Sequence, residues 1–102
     1  MKRPLPMKSR LMTKRIGENL AVWRKLSNLT AQQLADQAAV SRGTISRLEN
    51  GDASVSFGTF ANVCNALGIA SLVTDATDPY ETDLGRARVD QQLPQRVRKA
   101  RP

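Results

Sequence analysis

Between residues 29 and 51 two helix signals lie so close together that only a tight turn fits between them. Thr30 followed by Gln33 matches a capping box, in which each side chain satisfies an orphan N–H at a helix start. Leu34, Ala35 and Ala38 give that helix one buried face, and Ala39-Val40-Ser41 turns the chain. Ser41 caps a second short helix, Arg42 to Glu49, whose inner face is Ile45 and Leu48. Asn50-Gly51 stops it, because glycine accepts the left-handed backbone that follows a helix end. Two such short helices cannot bury their apolar faces alone, so flanking helices are required.

The flanks supply them. From Thr13, taken as an N-cap, Ile16, Leu20, Trp23 and Leu26 or Ser27 recur at three- and four-residue steps, predicting a helix that ends near Ser27-Asn28. Ser56 caps a fourth helix, Phe57 to Leu67, with Phe57, Phe60, Val63, Cys64 and Leu67 facing inward and Gly68 ending it. Residues 69–75 are short and rich in β-branched side chains, which predicts a strand over Ala70, Ser71, Leu72, Val73 and Thr74. A lone strand finds its simplest partner in the same strand of a second subunit. The expected fold class is therefore mainly α. A four-helix domain spans 13–68 and a dimerisation strand 69–75, between a flexible basic arm (1–12) and a flexible tail (76–102).

Composition narrows the chemistry. The chain has no His, and Cys64 is its one cysteine. A Ser-His-Asp triad, a histidine general acid and an internal disulfide are excluded, and a zinc site lacks ligands. No phosphate-binding glycine loop is present, so neither an enzyme nor a cofactor or metal is expected. Cys64 reads as a small core residue. No apolar run approaches the roughly eighteen residues of a membrane span, and the basic start lacks a signal peptide's apolar stretch, so a cytoplasmic protein is expected. The net charge of +7 is unevenly placed. Residues 1–15 hold six bases and no acid, 16–75 four bases and five acids, and 76–102 six bases and four acids. Basic flanks around a nearly neutral core suit a polyanion, although solubility alone would also explain them.

The segment LTAQQLADQAAVSRGTISRLENG, Leu29 to Gly51, resembles the helix-turn-helix of the Cro and phage-repressor (XRE) family. Leu34-Ala35, Val40-Ser41, Ile45-Ser46 and Leu48-Glu49-Asn50-Gly51 stand at the family's spacing, and with its flanks the resemblance covers about Ile16 to Ile69. It implies a lambda-repressor-like fold whose third helix enters the major groove. Arg42, Gly43, Thr44 and Arg47 would then read bases, each arginine by a bidentate contact to guanine worth about 1–3 kcal/mol of discrimination. Gly43 either lets backbone approach DNA closely or is merely tolerated in an exposed first turn. Thr30, Ala31, Gln32, Ser41, Ser46 and Asn50 would hold phosphates, and Thr30 and Ser41 would cap helices as well. The resemblance also pairs Arg24 with Glu49, clamping the reader to the first helix. Ala31 departs from the family's Gln, and Ala39 from its Gly at the turn; a positive φ there would cost alanine about 1 kcal/mol.

Beyond Gly68, the expected strand resembles HipB-type antitoxins. That resemblance implies a homodimer that binds operator DNA, represses its own operon and neutralises a HipA-like Ser/Thr kinase toxin. A stand-alone phage- or host-type repressor, and an interaction adaptor that reads no sequence, remain the alternatives. Flat affinity across DNA sequences would mark the adaptor.

Overall fold

The computed structural model describes residues 3–92, and among them every regular element is helical. The elements are α1 (Met7–Leu26), α2 (Ala31–Ala38), α3 (Arg42–Glu49), α4 (Phe57–Leu67), α5 (Ala70–Ala76), a 3₁₀ turn (Pro79–Glu81) and α6 (Asp83–Gln92). The chain forms two compact units, Met1–Ala70 and Ser71–Pro102.

In the first unit the helix starts follow from local chemistry. The Thr30 hydroxyl accepts from the Gln33 amide at 3.0 Å, and the Gln33 side chain accepts from the Thr30 amide at 2.8 Å. Ser41 and Ser56 cap α3 and α4 the same way, accepting from the amides of Thr44 and Thr59 at 3.1 Å each. The helix ends also share one solution. Asn28, Ala39, Gly51 and Gly68 each adopt positive φ just past a helix. The next amide bonds back five residues, from Leu29 to Arg24, Val40 to Ala35, Asp52 to Arg47 and Ile69 to Cys64, at 2.9–3.1 Å. These Schellman ends satisfy the last carbonyls of α1 through α4.

Ala39 is the costly member of the set, with φ 58° and ψ 42°. A Cβ in that region is strained by about 1 kcal/mol or more. Ala39→Gly should therefore stabilise the domain by about 0.5–1 kcal/mol, the strain relief being partly offset by the greater freedom of glycine in the unfolded chain. Denaturant unfolding checks this, and a lower midpoint would contradict it.

Leu20, Leu34, Ala35, Ala38, Ile45, Leu48, Val63, Cys64, Leu67 and Ile69 form the core. Burial pushes the Cys64 thiol above its ordinary value. Three core expectations need correction. Trp23 and Leu26 are exposed, and α1 instead buries Gly17 and Leu20. A Cβ on Gly17 would lie 2.6 Å from the Leu48 carbonyl oxygen and 2.7 Å from that of Glu49. That close crossing with α3 fixes the rotation of α1 and turns Trp23 to the rim. Phe57 is 81% exposed at the first position of α4, stacked on the half-buried Phe60.

Three boundaries also differ from expectation. The helix expected from Thr13 starts at Met7, so half of the expected arm over 1–12 is helical. Pro6, with its fixed φ, is the N-cap, and its carbonyl accepts from the Arg10 amide. Thr13 lies inside the helix with its hydroxyl bonded to the Arg10 carbonyl. Second, the strand expected over Ala70, Ser71, Leu72, Val73 and Thr74 is α5. A single strand would leave its backbone groups unpaired within the chain, whereas a helix satisfies them locally. The Thr74 and Thr77 hydroxyls then bond the Ser71 and Val73 carbonyls. Third, the expected tail over 76–102 is ordered through Gln92, while 93–102 lie outside the described residues. Asp78 caps the 3₁₀ turn, the Thr82 hydroxyl accepts from the Gly85 amide, and Arg86 reaches the Tyr80 carbonyl and Asp83.

Candidate nucleic-acid interface

The caps and the core together present one face of α3 to solvent. Ile45 and Leu48 point inward, which leaves Arg42, Gly43, Ser46 and Arg47 exposed and Thr44 half-buried. Asn50 follows on the exposed side, its amide nitrogen donating to the Ser46 carbonyl at 2.9 Å. Of the expected phosphate holders on α2, Thr30 and Gln32 are exposed and Ala31 is half-buried. The cap occupies the Gln33 amide. The amides of Ala31 and Gln32 lie in the first helical turn, which lacks intrahelical acceptors.

Several of these side chains already have structural work. The Ser41 and Thr44 hydroxyls are 2.8 Å apart, and Gln32 donates to Asp36 at 2.9 Å. Gly43 is different. A Cβ there would meet nothing closer than the Ser41 hydroxyl at 3.9 Å, so packing within the molecule does not require glycine.

Arg24 and Glu49 tie α3 to α1. The Arg24 Nε and Nη2 groups donate to the two Glu49 carboxylate oxygens at 2.8 and 3.1 Å, and Nη1 donates to the Leu29 carbonyl at 3.0 Å. The two side chains are only 15% and 14% exposed, so removing either partner strands a desolvated charge at a cost of about 3 kcal/mol. The Glu49 hydrogen bond raises the pKa of Arg24 further above its ordinary value, against the opposing effect of burial.

Two residues outside the expected site shape it. Arg47 Nε donates to Asp52 at 3.0 Å and Nη2 to the Ser54 hydroxyl at 3.3 Å, which holds the guanidinium by one edge. Asp52 in turn accepts from the Ser54 hydroxyl and amide at 2.6 and 2.8 Å. The sequence signal is an Asp-x-Ser pattern directly after Gly51, whose side chains bond the local backbone. Ser54, through hydroxyl and then amide, and Arg47 hold the Asp52 carboxyl at about 2. Because this folded pKa lies below the ordinary one, the stabilisation is complete above about pH 4 and is lost as pH falls toward 2. The difference in melting temperature between the protein and Asp52→Asn should be constant above that range and shrink below it. A difference that does not vary with pH would contradict the assignment.

The helix-turn-helix domain family matches residues 15–76, more than half of the 102-residue chain. The chain belongs to that family. No curated protein matches it. In this helix-turn-helix domain, of the XRE-like class, the family match covers the turn, both helices around it and the Arg24–Glu49 clamp, and it begins only at Arg15, inside α1. Among the described residues no group of three or more His, Cys, Asp or Glu side chains gathers as a metal site. No described helix is long and apolar enough to cross a membrane.

Proposed function

We propose that the chain is a sequence-specific DNA-binding transcriptional repressor and not an enzyme. The observation that carries this reading is the exposed face of α3, where Arg42 and an edge-held Arg47 lie on a helix clamped to its scaffold by the Arg24–Glu49 pair. An arginine fixed by one edge keeps the donors of the other for a guanine or a phosphate, and its ordering cost is met before binding. In this reading Arg42, Gly43, Thr44 and Arg47 face base edges. The first-turn amides of α2, with Thr30, Ala31, Gln32, Ser41, Ser46 and Asn50, line the phosphates.

One such reader reaches few base pairs, so the proposal includes a two-fold dimer bound to half-sites about one helical turn apart. It works in the cytoplasm, where operator DNA lies. The antitoxin reading drew on a pairing strand. A helix occupies Ala70–Ala76 instead, so a HipA-like kinase partner stays outside the proposal. Selection of bound duplexes from a random-sequence pool tests the function. Convergence on one site with two-fold symmetry supports it, and a pool that never converges contradicts it.

A further inference from the structure

Of the six bases of residues 1–15, Lys8, Arg10, Lys14 and Arg15 lie on the first turns of α1. The first acid in the chain is Glu18. These turns precede the family match, which starts at Arg15. Their position is fixed by two close approaches. The backbone of Lys14 lies so near Gly51 that a Cβ on that glycine would sit 2.5 Å from the Lys14 Cα. One turn further on, Gly17 packs against the carbonyls of Leu48 and Glu49. The first turns of α1 therefore emerge beside the C-terminal end of α3, next to Asn50.

At about 100° per residue, Arg10 and Lys14 fall on the Gly17 side of α1, the side that runs over the end of α3, while Lys8 and Arg15 fall on the opposite side. All four side chains are exposed. From this placement we infer that Arg10 and Lys14 grip the phosphate backbone beside the site that α3 reads, extending the interface beyond the helix-turn-helix. The inference rests on the DNA-binding reading above and adds a contact that carries affinity without sequence preference. Lys8 and Arg15, turned away, contribute little, which separates a positioned grip from net charge.

The test compares two double variants with equal loss of charge, Arg10→Gln/Lys14→Gln and Lys8→Gln/Arg15→Gln. Glutamine keeps good helix propensity, and circular dichroism confirms that each variant folds. Binding is measured against a duplex selected from the random pool and a scrambled duplex of the same length, over a series of salt concentrations. For Arg10→Gln/Lys14→Gln the slope of log affinity against log salt should fall by about two, with the same factor of weakening on both duplexes. The Lys8→Gln/Arg15→Gln slope should stay at the wild-type value. An unchanged slope in the first variant, or equal changes in both, overturns the inference while wild-type discrimination between the duplexes leaves the DNA-binding reading standing. A wild-type protein that binds neither duplex removes that reading and the inference with it.

Discussion

Gly17→Ala should destabilise the domain by about 3 kcal/mol, a drop of roughly 12–24 °C in melting temperature for a domain of this size. The new methyl would lie 2.6–2.9 Å from backbone atoms of Leu48 and Glu49, which cannot rotate out of the way as a side chain would. Either α1 lifts from α3 or the end of α3 unwinds. Lifting α1 also lengthens the Arg24–Glu49 hydrogen bonds two turns along the same face, leaving both poorly solvated charges imperfectly paired. The loss therefore exceeds what one methyl group would suggest. Thermal unfolding followed by circular dichroism reads it. A melting temperature within a few degrees of wild type would mean that the two helices do not cross this closely.

Arg42→Ala/Arg47→Ala should abolish discrimination between the selected and scrambled duplexes while leaving the fold intact. Each bidentate arginine–guanine contact is worth about 1–3 kcal/mol, so the pair accounts for about 30-fold to about 20,000-fold of preference. Both side chains are exposed and neither joins the core, so stability changes little. The loop contacts of Arg47 with Asp52 and Ser54 are lost, but they lie at the surface. Residual binding, sequence-independent and steeply salt-dependent, should persist through the phosphate contacts. A double variant that still protects the same site from cleavage would move base reading away from α3.

The parts of the fold readable in advance were those decided by neighbours in sequence. Thr30, Ser41 and Ser56 each cap the helix that follows, so α3 and α4 begin and end at the expected residues, and α2 runs between the Thr30 cap and the expected turn. The turn glycine's replacement by Ala39 was visible as a conflict, and the residue does adopt the strained conformation. What failed depended on partners elsewhere. Thr13 has the chemistry of a cap, yet a helix already under way after Pro6 uses its hydroxyl against a carbonyl. The β-branched content of residues 69–75 favours a strand only where another strand waits, and without one α5 satisfies the backbone locally. The rotation of α1 was hidden because it is set by a missing side chain, Gly17, not by the spacing of apolar ones.

In the candidate site, the exposed face of α3 followed from the inward residues Ile45 and Leu48, which leave Arg42, Gly43, Ser46 and Arg47 on the solvent side. The Arg47–Asp52–Ser54 arrangement was not readable from helix periodicity, because it joins a helix to the loop beyond its end.

The central claim is that α3 reads DNA sequence. The most direct measurement is the ratio of wild-type affinities for the selected and scrambled duplexes, taken at one fixed salt concentration. The account predicts a preference of about a thousandfold or more, in the range of specific DNA-binding proteins. Equal affinities, both falling steeply as salt rises, would contradict it.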